Sequence, residues 1–383
     1  MKLFEFEAKE FFRKRGIPVP EGIVAQTPEE ARQAYNKLGG NVALKSQVLV
    51  GGRGKAGGIK FPKSETEAYE MAGKLLNMKI KDEPVERILV ERALDIKQEY
   101  YLGIITDPDE GCPLLMFSTE GGMEIEELAA QKHDAIRKVL IDPRYGLLGY
   151  KLLFELKQAG IPQEFHNSII SIARELYQTY WDMDGELIEI NPLVVTGEGK
   201  ILAADAKFNI DNSGLFRHPE IPKRSAKTIE ERAAEMTLSY VLLEGNIGII
   251  SNGAGLTMAA MDLIRQEGAS PANFLDLGGQ ATEAVTIQNG IKVVLENPKV
   301  TAILIDIFAG GPRCDVIASG IVEAVGEMEK KGSLRVPIVI TLHGRNAEEG
   351  MKILSNFKSP HLYQEVEVED AVRKVIELGG KSK

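Results

Sequence analysis

The chain has 383 residues, 44% of them hydrophobic and 27% charged, with a formal net charge of −10. That length suits two or three domains and that composition a soluble globular protein. The acidic balance, with no basic stripe interleaved with aromatics, argues against nucleic acid, and no apolar run reaches the roughly eighteen residues of a membrane span.

The opening segment, MKLFEFEAKEFFRKRG, carries acidic residues throughout and lacks an apolar core, so no secretory signal is expected. Cys112 and Cys314 are too few for a disulfide framework and point to a reducing, cytoplasmic location. Next, NVALK reads as a strand ending in Lys45, followed by the glycine-rich basic loop Gly51, Gly52, Arg53, Gly54, Lys55. Lysine can place a point charge on a phosphate, and glycines let backbone approach a ligand and move. No Walker lysine spacing is present. Alone, the stretch reads better as a flexible, solvated surface turn.

Residues 64–78 show helical spacing with a Ser cap and a Glu three positions on, predicting a helix. Strands are predicted over 87–94, 100–106 and 113–119, the last after the DPDEGCP turn. This mixture implies an α+β domain on antiparallel sheets. The acids Glu91 and Glu99 could accept from sugar hydroxyls or an adenine amine, though each alone reads as a surface charge.

LIEINPLVVTGEGKILAADAK, 187–207, reads as a hairpin about TGEGK. Alternation puts Glu189 and Asn191 on one face, with Asp205 expected on the returning strand. Two carboxylates and an amide oxygen suit a hard cation such as Mg²⁺, which keeps phosphates and waters as further ligands.

The Pro-rich, charged segment 217–231 leads to a domain boundary placed near 236, giving domains 1–236 and 237–383. Thereafter strand, glycine loop and helix recur three times, from NIGIISNGAGL, VTAILIDIFAGGPRCD and VPIVITLHGRN, implying a flavodoxin-like or Rossmann-like parallel α/β sheet. Ligands of such sheets sit at the carboxyl ends of the strands. The partial match GAGLTM lacks the third glycine of a dinucleotide fingerprint, so that alternative is set aside.

Taken together, the lysine strand, the glycine-rich basic loop and the late E-I-N…D hairpin resemble the ATP-grasp pattern. AKEFFRKRGIPVPEG, GGRGKAGG, STEGGMEIEELA, IEINPLVVT, NGAGLTMAAMD and PANFLDLGG resemble, in order and spacing, the β subunits of succinyl-CoA synthetase (succinate–CoA ligase). The resemblance implies an ATP-grasp domain of two subdomains followed by a CoA-ligase domain, in a ligase of the tricarboxylic acid cycle. It assigns Lys45, Gly52, Arg53 and Gly54 to ATP phosphates, Glu91 and the Leu94 backbone to adenine, Glu99 to ribose, and Asn191 and Asp205 to Mg²⁺. It also assigns Asn252, Gly310, Gly311 and Pro312 to the carboxylic acid, and Pro20 resembles the ATP-using forms.

None of the five histidines lies in a Gly-His-Ala-Gly-type loop, and His133, His166 and His361 are expected at the surface. The resemblance therefore places the phosphohistidine and most CoA contacts on a separate α subunit, in an αβ or α₂β₂ assembly. Residues 118–134 offer a surface for that partner, and Glu189 could orient its histidine. The acid loops depart from the family form: FAGGPR and LHGRN bring His343 and Arg345, and Asp306 stands where asparagine is common. These changes could meet an extra carboxylate, as in malate–CoA or citrate–CoA ligases, or be rim drift. A non-catalytic nucleotide-binding relative is a further alternative.

Overall fold

A computed structural model describes residues 1–123, 125–131, 135–222, 228–278, 284–311 and 313–380. The chain divides into two compact units, Met1–Pro222 and Lys223–Lys383.

The first unit holds two antiparallel sheets. In the smaller, the strand order is Gly22–Ala25, Ile88–Arg92, Val42–Ser46, Ile59–Lys60. Helices Pro28–Lys37 and Glu65–Leu76 cover one face through Ala31, Ala34, Ala68, Ala72 and Leu75, which pack with Leu44, Ile88 and Val90. The second helix starts as its sequence predicts, with Ser64 Oγ accepting from Glu67 N at 3.2 Å. Leu44 and Val90 are register partners on the helix-covered face. Side chains alternate along a strand, so Lys45 and Glu91 both turn to the other face.

The larger sheet runs Ile201–Ala203, Gly185–Thr196, Ile96–Asp107, Cys112–Ser118, Ile136–Leu140, and Lys207–Ile210 also pairs with Gly185–Thr196. The predicted hairpin is present, with Leu193 opposite Ala203. Asp205, expected on the returning strand, instead lies in the short break between Ile201–Ala203 and Lys207–Ile210. The break arises because the strand Gly185–Thr196 shares its edge between two partners, pairing with the first from Leu193 and with the second up to Glu189. Helices Glu5–Lys14, Gly149–Gln158 and Gln163–Asp182 close this sheet's core, where Ala8 and Phe12 meet Leu102, Ile104, Ile188 and Phe208.

In the second unit the order is Ser239–Leu242, Asn273–Asp276, Ile247–Ser251, Ala302–Ala309, Ile338–Gly344, Leu362–Gln364. All neighbours are parallel except the first pair. Helices Ala254–Gln266 and Val368–Gly379 cover one face, and Ala284–Glu296 and Cys314–Lys330 the other. The division after Pro222 falls before the boundary expected near 236. The physical reason is helix Ile229–Glu235: it buries Ala233 in this unit's core and leads directly into the edge strand Ser239–Leu242.

Candidate functional site

Five segments of the first unit meet in a buried cluster of opposite charges. Lys45 Nζ lies 3.0 Å from Glu5 Oε1, 2.7 Å from Glu91 Oε2 and 2.6 Å from the Ala204 carbonyl. Lys9 Nζ lies 2.8 Å from Glu5 Oε1, 2.6 Å from Glu91 Oε1 and 2.7 Å from the same carbonyl. Arg53 donates to Glu5 Oε2 at 2.8 Å and grips Asp205 with two bonds of 2.8 and 2.9 Å. Three cations thus face three carboxylates. Burial alone would push the Glu5 carboxyl up, but Lys45, Lys9 and Arg53 outweigh it and hold that carboxyl well below the usual range. Burial likewise opposes charge on Lys45 and Arg53, yet the surrounding carboxylates raise both.

The glycine loop is a tight turn folded back on itself, Ala56 N donating to Gly52 O at 3.1 Å and Gly58 N to Arg53 O at 2.8 Å. Gly52 takes φ +83°, a conformation side chains rarely adopt. The turn delivers Arg53 into the cluster and leaves the Lys55 ammonium outside, beside Glu127 at 2.7 Å. Lys45 and Arg53 are therefore brought together in one cluster. Gly54 lies in the same turn, and Leu94 follows the strand Ile88–Arg92. Glu91 is placed differently from a free adenine acceptor, because both its oxygens are engaged by lysines.

Glu99 and Asn191 meet at one turn. Gly121 N donates to Glu99 O at 3.2 Å, and Gly122 N to Asn191 Oδ1 at 2.8 Å, while Asn191 Nδ2 donates to Met123 O at 2.8 Å. Gly122 takes φ +78°, a conformation that favours glycine, and a Cβ there would make the end of the Glu99 side chain shift. Glu99 also lines a cavity of about 340 Å³ with Gln98, Tyr100, Thr119 and Pro162. A larger cavity of about 630 Å³, beside Tyr150 and Phe154, contains none of the candidate residues.

Asn191 and Asp205 flank the hydrogen bond from Ala204 N to Pro192 O, 3.0 Å long. A carboxylate and an amide oxygen are hard donors, and no group of three or more His, Cys, Asp or Glu among the described residues is arranged to hold a metal ion. Two hard oxygens are a chemically suitable set for Mg²⁺, which keeps waters and phosphates in its shell, though Asn191 Oδ1 already accepts from Gly122 N. Asp205 would accept the cation only as Arg53 yields. Glu189 is buried, accepting from Tyr101 Oη at 3.0 Å with Lys207 Nζ at 3.4 Å. Burial raises its carboxyl, and Lys207 partly counters that.

In the second unit three loops gather at the carboxyl ends of adjacent parallel strands. Asn252 commits both ends of its amide to Phe308, donating to its carbonyl at 3.0 Å and accepting its N–H at 2.9 Å. Arg345 N donates to Ala309 O at 3.1 Å, and Cys314 N to Arg345 O at 2.9 Å. Gly310 and Gly311 leave open space where a Cβ would stand, Arg345 is exposed, and Pro312 lies outside the described residues. His343 Nε2 contacts Thr341 Oγ1 at 2.9 Å, and that hydroxyl donates to Val366 O at 3.1 Å. The ring therefore carries its proton on Nε2. Asp306 is 1% exposed, and its Oδ2 has no hydrogen-bond partner. Burial pushes its carboxyl up to about 6, with His343 pulling the other way.

One histidine corrects the surface expectation and a second departs from it in part. His166 is buried, its Nε2 2.8 Å from Ile161 O, and His361 is half-buried, 3.0 Å from Glu329. His133 lies outside the described residues, as do 124, 132 and 134 of the 118–134 surface. The residues sequence reasoning missed are Glu5 and Lys9. Their signal was available: positions 5, 8, 9 and 12 form one helical stripe, so two charges share a face with Ala8 and Phe12.

The ATP-grasp domain model matches residues 2–195, and the CoA-ligase model residues 250–372. The chain is 43% identical to the succinate–CoA ligase [ADP-forming] subunit beta of a Nitratiruptor species, covering 98% of each chain. It is 43% identical to subunit beta 1 of the ADP-forming ligase of Archaeoglobus fulgidus, over 99% of this chain and 100% of the relative. The same identity, 43%, holds with a subunit beta called GDP-forming from Thermus thermophilus, over 99% and 100%. Among solved structures, ATP citrate lyase from Methanothrix soehngenii shares the fold with TM-score 0.73 at 18% identity, covering 98% of this chain and 99% of that one.

Proposed function

The chain belongs to the family of succinate–CoA ligase β subunits, and from that premise we propose that it is the nucleotide- and acid-binding half of an ADP-forming acid–CoA ligase, with succinate as the acid. The observation that carries the reading is the convergence of Lys45 and Arg53 from separate segments onto Asp205 and its neighbours. Desolvation offsets much of what buried ion pairs contribute to stability, so a dense paired cluster of this kind is a candidate functional site.

In this reading Lys45, Gly52, Arg53 and Gly54 hold the ATP phosphates. Glu91 and the backbone of Leu94 line the adenine, and Glu99 accepts from the ribose. Asn191 and Asp205 hold Mg²⁺, which screens phosphate charge when bound. The terminal phosphoryl leaves ADP for an imidazole nitrogen of a histidine on a separate α subunit. Buried Glu189 orients that ring, and residues 118–134 meet the partner. The phosphoryl next passes to a substrate carboxylate oxygen, and CoA sulfur displaces phosphate from the acyl carbon, CoA being held mainly by α. Asn252 shapes the acid loop, Gly310 and Gly311 leave space with the Gly311 N–H as a donor, and Pro312, which has no N–H, follows them in the chain, with His343 near the end of the neighbouring strand and Arg345 just after it. The assembly is αβ or α₂β₂. Two free cysteines suit the cytoplasm, and no helix among the described residues is long and apolar enough to cross a membrane.

His343 and Arg345 favour a second reading for the acid alone, a malate or citrate with an extra carboxylate. One experiment addresses both. Co-expression with the α-type chain, followed by ADP release with succinate, malate and citrate in turn, is expected to give turnover with succinate. Turnover with another acid only would replace succinate, and ATP binding without turnover on any acid would refute the ligase reading. Separately, Mg²⁺–ATP is expected to raise the melting temperature of the wild type and not of Lys45→Met.

A further inference from the structure

We propose that Lys9 is a positioning residue for nucleotide binding: a stationary counter-cation that lets Lys45 leave its carboxylates for a phosphate. The inference rests on the reading above that Lys45 is the phosphate lysine, and it concerns what must happen to the cluster when ATP arrives.

Lys9 and Lys45 share the same three partners, Glu5, Glu91 and the Ala204 carbonyl, at 2.6–3.0 Å. They differ in access. The Lys9 side chain is 2% exposed and that of Lys45 is 13% exposed. Lys9 is also anchored, since its helix buries Ala8 and Phe12 in the core of the larger sheet. Lys45 stands at the rim and Lys9 beneath it.

In this structure Lys9, Lys45 and Arg53 balance Glu5, Glu91 and Asp205. A triphosphate draws Lys45 and Arg53 toward itself, and Asp205 goes to the metal ion. Glu5 and Glu91 stay behind, their side chains only 1% and 3% exposed. Without a remaining cation they would be two desolvated, uncompensated charges. Among the described residues, Lys9 is the other lysine touching both carboxylates. Its geometry also explains why Glu91 keeps one oxygen for each lysine: releasing Lys45 leaves the Lys9 bond intact. Removing the Lys9 charge should therefore pin Lys45 to Glu5 and Glu91, and ATP would have to compete with both.

The test uses the full chain and titrates Mg²⁺–ATP by calorimetry against wild type, Lys45→Met, Lys9→Met, and the double variant Lys9→Met with Glu5→Gln. Each variant is first shown to be folded by its circular dichroism and by a melting temperature above that of the titration. Lys45→Met is expected to lose affinity; if it binds as wild type does, the phosphate reading itself fails, whatever Lys9 shows. Given that loss, Lys9→Met is expected to raise the dissociation constant by about tenfold or more, and the charge-balanced double variant to return to within about threefold of wild type. A merely structural lysine would lower the melting temperature and leave the dissociation constant of the folded protein unchanged; that result, or a double variant no better than Lys9→Met, overturns the proposal. Should Lys9→Met not fold, Glu5→Gln alone decides. With one carboxylate fewer to leave, Lys45 should bind ATP at least as tightly as in the wild type, and a weaker binding overturns the proposal.

Discussion

Replacing Asp306 with asparagine isolates one buried charge. Asp306 lies on the parallel strand Ala302–Ala309, 1% exposed, with Oδ2 unpartnered. Burial moves its carboxyl from an ordinary 3.8 to about 6. At about 1.4 kcal/mol per pH unit that separation is worth about 3 kcal/mol. The sign follows from proton affinity. The folded chain holds this proton more tightly than the unfolded chain, so stability falls as pH rises from about 4 to about 6, and the full penalty stands at pH 7. Asparagine is neutral throughout and carries only the cost of a buried amide, about 1 kcal/mol. The variant should then gain about 2 kcal/mol at pH 7, some 4–8 °C in melting temperature for a unit of this size. Thermal unfolding of the full chain and of Asp306→Asn from pH 4 to pH 8 measures the difference. A gain that vanishes near pH 4 and is complete by pH 7 supports the reasoning. A pH-independent difference, or a loss at pH 7, would refute it.

Gly344→Ala should destabilise the protein by more than about 2 kcal/mol. Its φ is +105° and a Cβ would sit 2.3 Å from the Ala309 carbonyl, whereas Gly310→Ala and Gly311→Ala meet open space and should melt near wild type, any effect falling on the KM for the acid. Equal melting temperatures for Gly344→Ala and Gly310→Ala would show that the loop is not held as described. Glu189→Gln keeps the volume and the Tyr101 contact, so ATP should stabilise it as it does the wild type. Phosphate transfer to the α-type partner should slow by about tenfold or more; undiminished transfer would remove Glu189 from the reaction.

Much of this arrangement can be read from local pattern. The Ser64 cap, the hairpin around 197–200, the strand–glycine–helix repeats and the pairing of a lysine strand with a glycine loop all depend on neighbours a few residues apart. What escaped depends on long-range partners. The direction of Ser239–Leu242, antiparallel to Asn273–Asp276, is not encoded in its alternation. An acid and a lysine four apart on a helix ordinarily pair at the surface; the stripe shared with Ala8 and Phe12 hints that Glu5 and Lys9 are interior, but their partners there, Glu91 and Ala204, are distant in sequence. Asn252 reads as a free donor until Phe308 is seen to occupy its amide. His166 looks solvated in a polar stretch, yet its turn of helix faces the Ile161 carbonyl. Asp205 misleads for a related reason: continuous hydrophobic alternation conceals the change of strand partner.

That change of partner has a consequence for how the chain can vary in length. The tip of the hairpin, Gly197 to Lys200, lies beyond the last paired residues, and residues added or lost there would lengthen or shorten a ribbon end. The stretch 204–206 is different. Ala204 presents its carbonyl to both lysines while its N–H holds Pro192, and Asp205 meets Arg53. One residue more or fewer there would turn the carbonyl and the carboxylate away from their cations while leaving both flanking ladders able to form. Indels in homologous chains should therefore collect at the tip and avoid the break, making a three-residue gap in the sheet the least elastic ruler in the first unit.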